Sequence, residues 1–277
     1  MTDLDCTAFL QWALPQLGHR WGGYRRVRRQ VCKRLSKRLA ELTLTDLDAY
    51  RRYLETHAEE WPQLAALLPI TISRFWRDRA VFDFLATTLL PTLARGAAER
   101  GEHALHAWSA GCASGEEPYG LVLAWQLGGK LPHNVSPDIL ATDIEESVLE
   151  RARRACYTAS SLRELPAGWR DCAFNVDVAG RYCLRAEYRA GVTFQRQDIR
   201  REWPESRFDL ILFRNLVFTY FDDETQRAIA AKLTDHLVPG GALVIGHHER
   251  VPTATPRLEL WPQAHALGVY RRTPAST

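Results

Sequence analysis

The sequence predicts an α/β fold, in which a helical N-terminal part is followed by alternating strands and helices. Up to about residue 93, apolar residues recur at helical spacing. From Leu105 onward, short apolar runs alternate with helical segments, which is typical of a parallel sheet covered by helices. The clearest case is Leu105 to Tyr119, where an apolar strand leads into a loop of small residues and then into a helix.

The N-terminal part is predicted to contain helices over residues 5–17, 23–42, 45–57, 60–68 and 79–93. The second helix has an apolar stripe that contains Val27, Val31, Leu35 and Leu39. Thr45 is the expected N-cap of the third helix, and Asp78 is the expected cap of the last. The glycine-containing segment 92–103 marks the expected boundary with the alternating part.

After the first strand, the pattern predicts a strand over 139–143 and a helix over 145–154. Residues 181–194 alternate around Gly191 and predict an antiparallel hairpin. The run 208–213 is the most strand-like in the chain. A helix over 222–237 and strands over 242–246 and 267–272 complete the prediction, with the last strand antiparallel to its neighbour.

Composition excludes a disordered chain, because 46% of the 277 residues are hydrophobic and 25% are charged. The net charge of +3 lies in the first 60 residues, which hold 11 basic and 8 acidic residues, while the remainder balances 25 to 25. We therefore expect an anionic partner for the N-terminal part.

Nine Lys or Arg residues and no acid lie between Arg20 and Arg38. One interpretation is an ordinary solvated helix face. Nine cations repel one another at helical spacing when no acid offsets them, so the pattern favours a docking surface for an acidic helix or a nucleic acid.

The six cysteines lack CxxC or CxxH spacing, and the sequence has neither a signal peptide nor an apolar run of about 18 residues. We expect reduced cysteines, no metal, no membrane insertion and a cytoplasmic location.

The loop from Ser109 to Gly115 contains nothing larger than cysteine, so its backbone can approach a ligand closely. Glu116 and Glu117 follow, and either could simply favour the start of a helix. The same carboxylates would repel a phosphate, and neither Walker nor dinucleotide spacing is present. The loop therefore predicts a cofactor that is held through ribose hydroxyls and an amino acid moiety. Asp143, which ends the next strand, is a further candidate for the ribose.

Five motifs occur in order across nearly the whole chain. They are TISRFWRD (71–78), WSAGCASGEEPY (108–119), ATDI (141–144), FDLILFRN (208–215) with YFDDETQ (220–226), and PGGALVIGHHE (239–249). In these motifs the chain resembles the CheR-type methyltransferases, which transfer a methyl group from S-adenosylmethionine to glutamate side chains of chemotaxis receptors. The basic helical N-terminal region is also similar to that family's N-terminal domain.

The resemblance implies a helical N-terminal domain over 1–88 and a Rossmann-like, seven-stranded methyltransferase domain over 89–277. It also implies a small antiparallel β-subdomain at about 174–194. The implied cofactor is S-adenosylmethionine, with S-adenosylhomocysteine as product. The implied partner is an acidic helical protein, with chemoreceptor cytoplasmic helices as the expected target, and the expected state is a monomer.

Residue by residue, the resemblance implies a cofactor site and a substrate surface. The cofactor residues would be Thr71, Ser73, Arg77, Gly111, Glu117, Asp143, Asp198, Ile199, Arg214 and Asn215. Arg77 and Tyr220 would be catalytic, and Arg25, Arg28, Arg29 and Lys33 would bind the substrate. A glutamate carboxylate has a pKa of about 4.3 and needs no base at neutral pH, so these residues need only position it. Alternatively, Arg77 pairs with Asp78 or Asp83, and Tyr220 is a packed aromatic.

The sequence departs from the family pattern at three places. Tyr220 stands five residues after Asn215, where the usual pattern has four, so either the turn restores Tyr220 or Thr219 takes its place. The usual Gly-His-Ser-Glu has a second histidine, His248, and the β-subdomain is about three residues short. We therefore expect no tethering to a receptor's C-terminal peptide.

Two other functions compete with protein-glutamate methylation. The basic cluster would suit a nucleic-acid methyltransferase, although only Trp21 and Tyr24 supply aromatic rings there. The altered motifs would suit a divergent methyltransferase that acts on another protein or a small acid outside chemotaxis, or a cofactor-dependent regulator.

Overall fold

The computed structural model describes residues 2–129, 131–253, 255–264 and 266–274. The chain forms two compact units. The first consists of Met1–Thr71 with Val217–Arg227, and the second of Ile72–Leu216 with Ala228–Thr277. The functional domain limit at residue 88 stays a prediction.

The first unit is helical. Its helices are α1 (Asp3–Gln16), α2 (Trp21–Tyr24), α3 (Arg28–Glu41), α4 (Leu47–Thr56), α5 (Glu60–Ala66) and α11 (Val217–Tyr220). The prediction of one helix over 23–42 is wrong, because α2 ends at Tyr24 and α3 begins at Arg28. Glycine is a poor helix former, and Gly23 in α2 lies so close to the backbone of Thr219 that a side chain would not fit.

The apolar stripe of α3 lies in the core of this unit, as predicted. Val31, Leu35 and Leu39 are buried together with residues of α1 and α4. The cap of α4 was assigned one residue too early, because Asp46 rather than Thr45 accepts the Ala49 N–H, at 2.8 Å. A carboxylate one residue closer to the helix has the better geometry for this bond.

The second unit begins with α6 (Arg79–Phe84), a π-helical turn (Leu85–Leu89) and α7 (Leu90–Glu99), which extend beyond the predicted end at residue 93. The later helices are α8 (Glu116–Leu127), α9 (Glu146–Arg154) and α10 (Trp169–Ala173), followed by α12 (Asp223–His236), which belongs to the second unit from Ala228 onward. Helices α7, α8 and α9 pack against the strands of a large sheet.

Seven strands form the large sheet, which confirms the predicted fold class. They are β1 (Ala104–Ala110), β2 (Ser136–Asp143), β6 (Val192–Arg196), β7 (Phe208–Phe213), β8 (Leu237–Ile245), β9 (Leu258–Leu260) and β10 (Val269–Arg272). The order is β6-β2-β1-β7-β8-β10-β9, and only the pairs that involve β10 are antiparallel. The connections diverge between β1 and its neighbours β2 and β7, and ligands bind at such switch points, beyond the carboxyl ends of the strands.

Three short strands form a separate antiparallel sheet. They are β3 (Cys156–Tyr157), β4 (Phe174–Val176) and β5 (Tyr182–Leu184), in the order β3-β5-β4. The predicted hairpin over 181–194 is wrong, because β5 pairs with β3 and β4 whereas β6 joins β2 in the large sheet. A turn of 3₁₀ helix over Ala186–Tyr188 separates the two strands. Alternation alone does not specify a strand's partner.

Four of the six cysteines form disulfides, Cys6–Cys32 and Cys156–Cys183, so the prediction of reduced cysteines is wrong. The partners stand 26 and 27 residues apart and meet through a helix contact and a strand pair, which no local spacing reveals. Over the described parts of the chain, no helix is both long enough and apolar enough to span a membrane.

Candidate functional site

The loop after β1 turns back over the end of β2. The N–H groups of Gly111 and Cys112 both donate to the Thr142 carbonyl, at 2.8 and 2.9 Å. Gly111 has a φ of 73°, and a Cβ added there would lie 3.1 Å from a methyl carbon of Leu216. Glycine is therefore the residue that this turn accommodates without strain or displacement of its neighbour.

Gly115 ends the loop and precedes α8. Its φ is 87°, and an added Cβ would lie 2.9 Å from the Ala152 Cβ and 3.2 Å from the Tyr157 Oη. Tyr157 Oη donates to the Ser114 carbonyl at 2.9 Å. The residue before α8 supplies no side-chain cap.

Two carboxylates that were predicted to bind the cofactor are held by the loop itself. Glu117 accepts from Ser109 Oγ at 2.7 Å and from Arg214 Nη1 at 3.0 Å. Asp143 accepts from the N–H groups of Ala113 and Glu145, at 2.9 and 3.0 Å. Burial raises the pKa of Asp143 above its usual value, although these amide bonds act in the opposite direction.

Glu116, the first acid of α8, is buried and faces Ser114, whose hydroxyl lies 3.0 and 3.1 Å from its carboxylate oxygens. Burial raises the pKa of Glu116, while hydrogen bonds that include one from Ser73 oppose this shift. Ser73, another predicted cofactor residue, therefore lies beside the loop.

Arg214 joins the loop to the TISRFWRD segment. Its side chain is 3% exposed, and Nη2 donates to Asp78 Oδ2 at 2.6 Å and to the Arg77 carbonyl at 2.9 Å. Its Nε has no hydrogen-bond partner within the described residues. Asp78 occupies the N-cap position of the helix that begins at Arg79, as predicted, but its side chain makes no capping bond and pairs with the buried guanidinium instead. An ion pair inside the protein outweighs an exposed cap.

Arg77 lies between two residues with left-handed backbone, Trp76 (φ 60°) and Asp78 (φ 63°). Such residues cost on the order of 1 kcal/mol each and cluster at functional sites. The Arg77 guanidinium is half-buried and donates to the Ile72 carbonyl at 2.8 Å. Within the described residues it pairs with no acid, and Asp83 bonds instead to Trp76 Nε1. The alternative, in which Arg77 pairs with Asp78 or Asp83, is therefore wrong.

Asn215 follows β7 with a φ of 54°, and a residue that the sequence did not single out supports its turn. Glu249 is 3% exposed and accepts from the N–H groups of Asn215, Leu216 and Gly246, at 2.8, 3.2 and 2.6 Å. It thereby ties together the loops that follow β7 and β8. The motif GHHE contains this glutamate, but its spacing alone gives no indication of this contact.

Asp198 and Ile199 follow β6 and are half-buried. Arg200 pairs with the Asp198 carboxylate at 2.9 Å. Burial tends to raise the pKa of Asp198, but the hydrogen bonds and charge of Arg200 bring it below its usual value. The neighbouring Gln197 was missed, yet it is buried and its Oε1 accepts no bond within the described residues.

The remaining predicted residues, Thr71, Tyr220 and the basic side chains, belong to the first unit. The Tyr220 ring packs 5.0 Å from the Tyr24 ring, centroid to centroid, and its carbonyl accepts from the Arg20 N–H. The Thr219 carbonyl also accepts from Arg20. Which of these two residues faces the methyl group stays a prediction.

The basic segment divides into paired and unpaired cations. Arg28, a predicted substrate residue, pairs with Asp3 at 2.5 Å, and Arg38 pairs with the buried Glu60 at 2.7 Å. The exposed cations Arg25, Arg26, Arg29 and Lys33 form no ion pair with an acid within the described residues. Arg26 was not among the substrate residues predicted from the sequence.

The chain that contains this site can be compared with known proteins. A family model described as CheR methyltransferase, SAM binding domain, matches residues 71–267. The chain belongs to the CheR methyltransferase family. It is 32% identical to the chemotaxis protein methyltransferase of Listeria innocua over 222 residues, which cover 80% of this chain and 81% of the relative.

This CheR-family chain is also 33% identical to the probable chemotaxis protein methyltransferase of Rhizobium etli over 232 residues, which cover 80% of this chain and 84% of the relative. Among solved structures, the N-methyltransferase NodS from Bradyrhizobium japonicum aligns with a TM-score of 0.40 at 16% identity, over 72% of this chain and 99% of that one.

The chain is thus an S-adenosylmethionine-dependent methyltransferase, and its second unit fits the cofactor in kind. S-adenosylmethionine carries an amino group and ribose hydroxyls, for which Glu117 and Asp143 are acceptors, and a carboxylate, for which the unpartnered Arg214 Nε is a donor. The adenine amino group would likewise satisfy the buried Gln197 Oε1. Gly111 leaves room for close approach.

Proposed function

We propose that the chain methylates glutamate side chains of an acidic helical protein, with chemoreceptor cytoplasmic helices as the target. One observation carries this choice of substrate: a CheR-family chain presents four exposed cations without acidic partners. Two relatives whose names refer to chemotaxis protein methyltransferases support it.

When bound, S-adenosylmethionine would supply an electrophilic methyl group, to which a carboxylate oxygen would form the new C–O bond while the S–C bond breaks and the sulfonium charge is neutralised. A glutamate carboxylate is already ionised at neutral pH and requires no base. The protein has to orient this carboxylate and exclude water, and such positioning contributes several kcal/mol.

The cofactor is held by the polar groups of the loop. Glu117 would bind the amino group, Asp143 would bind the ribose, and Arg214 with Asn215 would close the carboxylate end. Gly111 allows the close approach, and Thr71 and Ser73 cover the cofactor. Asp198 and Ile199 line the adenine.

Arg77 orients the substrate carboxylate. Its guanidinium is free of acidic partners within the described residues and is half-buried, so it can donate to the oxygen that does not attack. Tyr220 assists by donating its phenol, with Thr219 as the alternative donor.

The exposed side of α3 binds the acidic helix. Arg29 and Lys33 are four residues apart within α3, which places them on one face, and Arg26 lies in the turn just before the helix. Arg25 adds to the same charge. Arg28 is already paired with Asp3, so its contribution is to hold α3 against α1. The protein acts in the cytoplasm as a monomer.

The test uses purified full-length protein, methyl-labelled S-adenosylmethionine and a lysate from cells that lack this gene. A methyl ester releases its label as volatile methanol on mild base treatment. Base-labile label in a protein band, lost with Arg77→Ala, supports the proposal. Base-stable label, or label in nucleic acid or small molecules alone, contradicts the glutamate assignment while the fold and the cofactor remain.

Arg79→Ala is the matched control. Arg79 lies two residues away, is exposed, and pairs only loosely with Asp83, at 3.5 Å. Its loss should leave transfer unchanged, because an exposed pair contributes little. Equal activity of the Arg77 and Arg79 variants would exclude the positioning role of Arg77.

A further inference from the structure

The disulfide Cys156–Cys183 lies in the small sheet next to the cofactor loop. The two residues stand directly opposite each other on β3 and β5. Both are half-buried, whereas Cys6 and Cys32 of the other disulfide are 0% and 8% exposed. An external thiol can therefore reach the first disulfide more readily than the second.

We propose that Cys156–Cys183 is a reversible redox site that controls the affinity of the chain for S-adenosylmethionine. This inference rests on the proposed function, which includes action in the cytoplasm. Disulfides of cytoplasmic proteins are mostly transient and are used in catalysis or redox sensing.

The reducing step needs a dithiol, such as a protein of the thioredoxin class or dithiothreitol. One thiolate of the dithiol attacks a sulfur of the Cys156–Cys183 bond and forms a mixed disulfide, while the other cysteine leaves as a thiolate and takes up a proton. The second thiol of the dithiol then releases the remaining cysteine. Two electrons pass to the protein, which gains two thiols, and the dithiol becomes a disulfide.

Strand β3 connects the disulfide to the cofactor loop, because it consists of only two residues. Cys156 carries the disulfide, and the next residue, Tyr157, donates to the carbonyl of Ser114 in the cofactor loop. The same hydroxyl would meet a Cβ at Gly115. Burial raises the pKa of Tyr157, which keeps it a neutral donor.

Besides the disulfide, β3 is held by its pairing with β5 and by the Tyr157 ring, which is buried in a cluster with Phe174 and Leu184. The Leu184 N–H donates to the Ala155 carbonyl at 2.9 Å, and the Tyr157 ring meets Phe75 edge to face at 4.9 Å. Reduction removes the covalent link between β3 and β5, and a shift of β3 would displace the Tyr157 hydroxyl that donates to the Ser114 carbonyl. Reduction should therefore loosen the loop on which the cofactor rests.

The test measures equilibrium binding of S-adenosylmethionine to the full chain, oxidised and after treatment with dithiothreitol. All proteins carry Cys172→Ser, since Cys172 is an exposed free cysteine. A chelator is present throughout, because the two disulfide sulfurs and an Asp177 carboxylate oxygen lie within 4.8 Å of one another, and the opened pair could therefore bind a metal. Thiol titration verifies which disulfide has opened.

We expect reduction to weaken binding about fivefold, the equivalent of one ordinary hydrogen bond. The double variant Cys6→Ser with Cys32→Ser should keep this difference. The double variant Cys156→Ser with Cys183→Ser should bind like the reduced protein under both conditions.

Tyr157→Phe provides a test that does not depend on the folding of the cysteine variants. It should bind weakly in the oxidised state and change little on reduction. Equal affinity of the oxidised and reduced protein, or a disulfide that dithiothreitol does not open, overturns the inference. If the oxidised protein binds no S-adenosylmethionine at all, the proposed function itself fails.

Discussion

Replacement of Glu249 by glutamine tests whether this residue positions the end of the cofactor site. Its carboxylate accepts hydrogen bonds from three backbone N–H groups, and one of its two oxygens accepts the bonds from both Asn215 and Gly246. Glutamine can keep these two bonds without the charge, but its amide group then faces the N–H of Leu216. The loss of one charge-assisted bond, about 1.5–3 kcal/mol, together with the weakening of two others, predicts a decrease of roughly 3 kcal/mol in the free energy of unfolding.

The assay is urea unfolding followed by circular dichroism, together with calorimetric titration of S-adenosylhomocysteine. Glu259→Gln is the control, because Glu259 is 46% exposed and pairs with Arg271 on the surface. This change should cost less than about 1 kcal/mol. Affinity should fall only for the Glu249 variant, since its loss frees the left-handed turn at Asn215. Unfolding free energies that agree within 1 kcal/mol for the two variants would refute the reasoning.

Three further predictions concern the loop and the basic helix. Gly115→Ala should weaken cofactor binding and destabilise the protein by more than Gly168→Ala, because both positions have left-handed backbone but only the first has close neighbours. Thermal unfolding measures the loss of stability, and titration measures the loss of affinity. Equal effects of the two substitutions would contradict the prediction. Glu116→Gln should gain stability relative to the wild type as the pH rises above 4.5, because burial raises the pKa of Glu116 and its ionisation then opposes folding. Urea titrations at several pH values measure the difference in unfolding free energy between the two proteins. A difference that stays constant with pH would count against this prediction. Lys33→Glu should lower kcat/KM for an acidic protein about fivefold at low salt and less at high salt. The control Arg52→Glu, an exposed change on α4, should leave kcat/KM unchanged. Equal rates for the two variants would exclude α3 as the docking surface.

Much of the fold could be predicted because buried strands have a strong local pattern. The run Phe208–Phe213 is buried at every position, and the loop beginning at Gly111 needs the small residues that the sequence contains. The hairpin prediction failed because β6 pairs with β2, a partner more than 40 residues away. Strand partners are set by tertiary packing, which a local alternation does not encode.

The candidate site was predicted less completely than the fold. Glu117 and Asp143 could be singled out because acids stand at the end of a strand and the start of a helix, and their roles in cofactor binding stay predictions. The ion pair between Arg214 and Asp78 could not, because it joins residues 136 apart in sequence. The same holds for the disulfides and for Glu249, whose contacts arise only after the loops of neighbouring strands have been brought together.

The central claim is methylation of glutamate carboxylates, and substitution of the acceptor tests it most directly. Purified protein and labelled S-adenosylmethionine are incubated with a helical chemoreceptor fragment, and in parallel with the same fragment in which the exposed glutamates are changed to glutamine. The account predicts base-labile label on the first fragment and none on the second. Equal labelling of both fragments, or base-stable label, would contradict it.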